Sequence, residues 1–118
     1  SNVNLDTFGA LGTPTLLPIN PGVANSLNTI TTEGATPGGP VAIAYGFTEG
    51  AAAADSICPG LTLGIADWIN LTTVTADGTG KADFDVFVPP GFSGLSVYLQ
   101  SVDIATCTPS NLNLDTFE

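Results

Sequence analysis

Apolar and polar residues alternate along much of this chain, and a period of two residues predicts β-strands. The clearest run is Val41–Phe47, in which branched and aromatic residues alternate with Ala42, Ala44 and Gly46. This run predicts a strand with one apolar face. The small residues on its second face indicate either close packing against backbone or a flat exposed surface.

Strand-like runs recur at a spacing of about 8–12 residues, separated by glycine and proline, which is typical of β-sandwiches. No run has the length of a stable helix. Residues 48–59 contain four consecutive alanines between Gly50 and Pro59, and we predict a loop there. The other predicted strands cover residues 26–32, 61–65, 67–76, 82–88, 95–104 and 110–117. The chain is therefore predicted to be all-β, an antiparallel β-sandwich of about seven or eight strands with an N-terminal extension strand.

The two ends of the chain carry nearly the same eight residues. Ser1–Phe8 (SNVNLDTF) and Ser110–Phe117 (SNLNLDTF) are identical at seven of eight positions and differ only at Val3 and Leu112. Both copies alternate as a half-buried strand does. A shared end strand favours head-to-tail assembly, either as tandem domains of one polypeptide or by one subunit's end strand completing the next subunit's sheet. The alternative is two similar edge strands of one domain.

This repeat leads to a predicted division of the chain into three parts. Residues 1–8 form an exchange or extension strand. Residues 9–22 are rich in glycine and proline and form a semi-rigid linker, with room for a short edge segment at 16–19. Residues 23–118 form the sandwich. The predicted subunit-interface residues are Val3, Leu5, Thr7 and Phe8.

The composition narrows the class of function. The chain has 11 acidic residues, a single cation at Lys81, no arginine and no histidine, for a formal net charge of −10. Nucleic-acid binding and attachment to anionic lipids both need several cationic side chains, so neither is expected. No apolar run reaches the length of about 18 residues that spans a membrane. The chain begins at Ser1 and has no methionine, which predicts a mature or excised form.

Chemical activity is not predicted. Without histidine there is no ordinary proton shuttle or imidazole metal ligand, and a serine nucleophile would lack its usual base. We therefore predict a protein that is not an enzyme and has no catalytic residue, cofactor or metal site. Asp83 and Asp85 share one predicted strand face and are candidates for paired carboxylates or a Ca²⁺ site, but a solvated strand face is the favoured interpretation. Phe87 shares that outward face as a candidate contact residue.

Two features concern sugars. Trp68, Tyr45 and Tyr98 are candidates for a sugar-stacking platform, although core aromatics are the favoured interpretation. Asn70-Leu71-Thr72 is an N-glycosylation sequon. It makes Asn70 a glycosylation candidate, provided that its side chain faces solvent.

The two cysteines bear on the compartment. Cys58 and Cys107 are 49 positions apart and lack a metal-binding spacing. The favoured interpretation is a disulfide, which predicts an oxidising, extracellular or cell-surface location. Two buried free thiols in a cytosolic domain are the alternative.

Several segments in roughly the last two-thirds of the chain carry a resemblance to a known family. They are YGF (Tyr45–Phe47), CPGLTL (Cys58–Leu63), TADGTGKA (Thr75–Ala82), VPPGFSGLSVYLQSVD (Val88–Asp103), Cys107 and SN (Ser110–Asn111). They resemble a domain of secreted and cell-surface bacterial proteins. The resemblance implies an immunoglobulin-like sandwich appended to larger extracellular proteins, with a disulfide between the two cysteines and no assigned enzymatic role. In layout alone, the N-terminal strand and proline-rich linker are similar to pilus subunits that polymerise by strand donation.

The expected function is therefore structural. We expect a subunit of an extracellular bacterial filament that binds copies of itself through its N-terminal strand. Covalently attached glycans are a candidate addition, and their occupancy is left open. One alternative is a tandem module of a cell-surface protein, with a repeat offset of 110 − 1 = 109 residues. The other is a carbohydrate-binding module that uses Trp68 and acidic loop residues.

Overall fold

The computed structural model of the chain describes residues 13–118, and β-strands dominate them. In chain order the strands are β1 (Thr15–Leu16), β2 (Ser26–Glu33), β3 (Pro40–Gly46), β4 (Thr48–Ala53), β5 (Thr62–Ala66), β6 (Ile69–Thr75), β7 (Ala82–Val88), β8 (Ser96–Asp103), β9 (Thr108–Pro109) and β10 (Asn113–Thr116). The described helical structure is a single 3₁₀ turn at Pro90–Phe92. The predicted all-β class is confirmed. The predicted N-terminal extension strand, residues 1–8, lies outside the described residues.

The strands form two facing sheets and a separate hairpin, with antiparallel pairing throughout. The three-stranded sheet has the order β1-β2-β7, and the five-stranded sheet has the order β10-β8-β3-β6 with β9 also paired to β8. The hairpin consists of β4 and β5. β1 lies in the predicted linker, and its Leu16 is only 2% exposed. The later part of this glycine- and proline-rich segment thus packs against the sandwich.

The main core lies between the two sheets. It is built from alternate residues of the facing strands, including Ile30 of β2, Ile43 of β3 and Leu99 of β8, each almost fully buried. Tyr45 packs against this cluster from the same face as Ile43. Phe47 follows the end of β3, remains exposed and meets Tyr45 edge to face. The apolar face predicted for β3 is therefore the face that carries its large core side chains.

The second face of β3 is buried as well, under the β4–β5 hairpin. Ala42 and Ala44 pack there with Leu61 and Leu63 in a second apolar cluster, so of the two interpretations of the small residues, close packing is confirmed. Residues 48–59 are not all loop, because Thr48–Ala53 form β4. That part of the prediction is wrong because pairing with β5 overrides the weak β-propensity of alanine and glycine.

Gly46 tests the close approach of the hairpin to β3. A Cβ atom at this position would overlap Cγ2 of Ile65, which is fully buried on β5. We expect Gly46→Ala to lower the free energy of unfolding by about 1–3 kcal/mol, because overpacking forces the neighbours to shift. The measurement is a urea-unfolding midpoint.

Gly78→Ala is the matched control. A Cβ atom at Gly78 has no neighbour within 4 Å, so the change is expected to fall within about 0.5 kcal/mol. Equal destabilisation by both variants would contradict the tight layer contact.

Candidate assembly surface

The C-terminal copy of the repeated octet forms the edge of the five-stranded sheet. Its strand β10 pairs with β8 in the register Leu114↔Tyr98 and Thr116↔Ser96. Phe117 then enters the main core, where it is 5% exposed and meets Phe92 edge to face at a centroid distance of 6.1 Å. The octet is thus a strand of the sandwich, but its faces are the reverse of those expected from its apolar and polar alternation, because Phe117 faces the core and Leu114 is 54% exposed.

Two asparagine side chains of the octet join the sheets along one side of the sandwich. Asn111 Oδ1 accepts the Leu16 N–H at 2.8 Å, and Asn111 Nδ2 donates to the Leu16 carbonyl at 3.1 Å. Asn113 Nδ2 donates to the same carbonyl at 3.0 Å. We call this side, where β1 lies beside β10, the closed side. Side-chain amides take the role that a backbone ladder would play there.

Backbone hydrogen bonds complete the closed side beyond the asparagines. The Glu118 N–H donates to the Gly22 carbonyl at 3.0 Å, and the Ala24 N–H donates to the Glu118 carbonyl at 2.9 Å. The chain from β1 to Ala24 therefore runs beside the C-terminal octet over its whole length. Ile19, which lies between these contacts, is buried in the main core.

The carboxylate of Asp115 also lies on the closed side. Its Oδ2 atom is buried without a hydrogen-bond partner. Burial raises the pKa of the Asp115 carboxyl, and the backbone N–H of Ile19 opposes that shift. The charged form therefore costs stability at neutral pH, because the unpaired oxygen has lost its water.

The opposite side of the sandwich, where β6 lies beside β7, is less complete, and we call it the open side. The inward-facing Leu71 and Val74 of β6 and Phe84 and Val86 of β7 are only half-buried. Within residues 13–118, no hydrogen bond joins β6 to β7, so each strand presents an unpaired edge. An unpaired strand edge is a template for another strand.

An apolar groove opens on this side, with a cavity volume of about 150 Å³. Both sheets contribute to its walls. Phe87 also borders the groove, although its side chain lies on the outward face of β7. The half-buried and exposed lining residues Leu71, Val86, Phe87 and Phe92 mark a mouth between β6 and the C-terminal end of β7, whereas Val97 and Phe117 line the buried part of the groove. The inward-facing lining includes Ile30, Tyr45, Leu71, Val86, Val97 and Phe117.

The outer face of the three-stranded sheet carries the predicted acidic pair. Asp85 accepts a hydrogen bond from the Thr29 hydroxyl and Asp83 from the Thr31 hydroxyl, both at 2.7 Å across the β2–β7 pair. The same face ends in the cross-strand pair Leu27 and Phe87, which are 61% and 55% exposed. The outward position predicted for both aspartates and for Phe87 is confirmed.

The other predicted sites lie in separate places. Cys58 and Cys107 form the predicted disulfide, with a Cα–Cα distance of 5.8 Å, and tie the β4–β5 hairpin to the turn after β8. Asn70 is exposed on β6, as glycosylation requires, and its modification stays a prediction. The predicted interface residues Val3, Leu5, Thr7 and Phe8 lie outside the described residues.

The aromatic candidates do not form one platform. Tyr45 packs against the main core, whereas Trp68 packs against the second cluster on the other face of the five-stranded sheet. The Trp68 indole N–H donates to the Ala53 carbonyl at 3.0 Å. These two side chains therefore act in packing, as the favoured interpretation expects.

Over residues 13–118, the Cys, Asp and Glu side chains form no group of three or more that is able to hold a metal ion. Within the same range, no helix is both long and apolar enough to cross a membrane. Neither the known protein-family models nor the curated proteins include a match to this chain. The immunoglobulin-like affiliation stays a prediction.

Sequence patterns alone miss two features of this surface. The alternation predicts that Asn111 and Asn113 face solvent, yet their side-chain amides bind the Leu16 backbone on the closed side. A signal was present, because asparagine is disfavoured in strands and occurs here twice on one face. The open side carries no local signal, since it depends on how β6 and β7 lie in different sheets.

Asp115→Asn tests the cost of the buried carboxylate. Because the folded-state pKa is raised, the wild type is relatively stabilised below the ordinary carboxyl range and loses that stability as pH rises through the folded pKa. The variant is therefore expected to have a higher Tm than the wild type at pH 7, with a difference that shrinks by pH 3. Thermal unfolding at both pH values measures it.

Asp67→Asn is the matched control, because Asp67 is exposed and asparagine tolerates its positive φ of 53°. It removes the same charge without relieving burial. If Asp115→Asn raises the Tm at pH 7 by no more than Asp67→Asn does, the result contradicts the desolvation account.

Proposed function

We propose that this protein is the structural subunit of an extracellular bacterial filament and assembles head to tail through residues 1–8. One observation carries the proposal. The same octet at the C-terminus closes one side of the sandwich through Asn111, Asn113 and Phe117. The N-terminal octet has Asn2, Asn4 and Phe8 at the matching positions. A strand with these side chains is suited to a sheet edge beside an apolar gap.

An assembly of this kind extends indefinitely. The donor is a terminal strand and the acceptor is a different surface of the folded domain, so the contact is heterologous and does not close into a symmetric dimer. Backbone hydrogen bonds along the strand supply affinity, and alternate side chains supply register. Each chain then offers one donor and one acceptor.

The disulfide and the charge suit an extracellular structural role. Closing a loop of 49 residues stabilises the fold by about 4 kcal/mol on the chain-entropy model. Disulfides persist in oxidising compartments. A net charge of −10 makes finished filaments repel one another, which opposes lateral aggregation.

The repeated octet also supports a second candidate, a tandem module of one long polypeptide. Residues 1–8 would then be the last strand of the preceding module, with an offset of 110 − 1 = 109 residues. Denaturing electrophoresis of the native assembly distinguishes the two. A band near 11.9 kDa supports the subunit, and a ladder or a very large band supports the array.

The charge of the donor strand tests the filament. Phe8→Asp places a carboxylate at the position that matches the buried Phe117, and Leu5→Asp adds the same charge at the position that matches Leu114, which is 54% exposed. We expect Phe8→Asp, like deletion of residues 1–8, to abolish filaments in electron micrographs, because burying an unpaired charge is costly. Leu5→Asp should retain more filaments than Phe8→Asp. Abundant normal filaments after the deletion would overturn strand donation.

A further inference from the structure

We infer that the groove on the open side is the acceptor for the N-terminal strand, with residues 3–8 of a second copy lying along the free edge of β7. This inference rests on the proposed function and adds the location of the binding site.

The two sides of the sandwich differ in how far their inward-facing side chains are buried. On the closed side, Leu16, Val97 and Phe117 are each 5% exposed or less. On the open side, Leu71 and Val86 face the same core and remain half-buried. Among the strands of residues 13–118, none covers that side, and the apolar groove is what they leave uncovered.

The closed side shows how one copy of the octet is bound. There, β10 pairs with β8 of one sheet, Asn111 and Asn113 bind β1 of the other sheet, and Phe117 fills the core between them. The open side presents the same elements, two edge strands of different sheets beside an apolar gap. A second octet of nearly identical sequence has complementary chemistry for it.

The N-terminal octet also carries a side chain of the right size for the groove. Its Phe8 matches Phe117, which is buried in the main core on the closed side. A cavity of about 150 Å³ is of the size that accommodates benzene, and so admits one aromatic ring. The lining is almost wholly apolar and contains no charged side chain, which suits the ring of Phe8.

Strand order favours a donor from another copy. β1 and β7 are opposite edges of the three-stranded sheet, with β2 between them. β1 begins at the Glu33 end of β2, whereas Val88 beside the groove pairs with Ser26 at the other end. The same chain's N-terminus would have to pass round the sheet to reach the groove. A neighbouring copy meets the free edge of β7 directly.

The competing acceptor site is the place beside β8 that β10 occupies, because the contacts made there suit either octet. The chain's own C-terminal octet already fills it, with hydrogen bonds to Leu16 and a buried Phe117. A neighbour's strand would have to displace these contacts for equivalent ones, with no net gain in buried surface. The groove requires no displacement, and its occupation adds new buried area.

Cysteine crosslinking between two differently labelled chains tests the location. One chain carries Leu5→Cys, and the other carries Phe87→Cys at an exposed position on the groove mouth. The two native cysteines are paired with each other, so the introduced thiols are the ones that react. The acceptor control is Leu27→Cys, which is equally exposed on the same face but lies on β2, directly opposite Phe87. Leu114→Cys reports on the competing site beside β8, because Leu114 is 54% exposed on β10.

After assembly and treatment with a short bismaleimide, we expect the Leu5–Phe87 product to exceed the Leu5–Leu27 product, because Leu27 lies one strand, about 4.8 Å, farther from the docked donor. Filaments crosslinked instead through Leu114 would show that the groove is not the acceptor site, while leaving strand donation intact. Absence of the Leu5–Phe87 product contradicts the groove as acceptor site in every case. Absence of filaments from all unmodified chains contradicts the proposed function.

A chain that carries both Leu5→Cys and Phe87→Cys reports on insertion of a strand into its own groove. At high dilution, we expect little crosslinked monomer from this chain. If crosslinked monomer is the main product and the mixed single-cysteine chains give none, the groove accepts its own strand, and the inference of a second copy is wrong.

Discussion

Closing the edges of the sandwich is the constraint on which the rest of this structure depends. Two facing sheets leave two long sides, and each side exposes apolar core and unpaired backbone unless something covers it. On the closed side, the C-terminal octet solves the problem with asparagine amides from Asn111 and Asn113 and with a buried ring from Phe117. The open side has no equivalent within residues 13–118, which is why we place the assembly contact there.

The five-stranded sheet meets a second constraint, because its central strand β3 is covered on both faces. Small side chains at Ala42 and Ala44 let the β4–β5 hairpin approach closely, and the disulfide from Cys58 fixes that hairpin to the turn after β8. The outer surface of this sheet is therefore occupied. This layering covers both faces of β3 and leaves β6 and β10 as the edges of the five-stranded sheet.

Alternation along the chain predicted much of the fold, because period-two patterns report directly on which side chains face the core. The strands containing Ile43, Val86 and Leu99 were predicted in this way, and so was the outward position of Phe87. Thr48–Ala53 was predicted as loop because alanine and glycine carry little strand signal. The asparagine contacts and the groove depend on how distant segments meet, which no local pattern records.

Hydrogen exchange of β7 amides tests the central claim most directly, with assembled wild type compared with the same protein before assembly. The account predicts that amides of Ala82–Val88 that point away from β2 exchange more slowly after assembly, while those of Ser96–Asp103 are unchanged. Unchanged exchange in β7 together with altered exchange in β8 would contradict this account, because the neighbour's strand would then take the place of β10 beside β8.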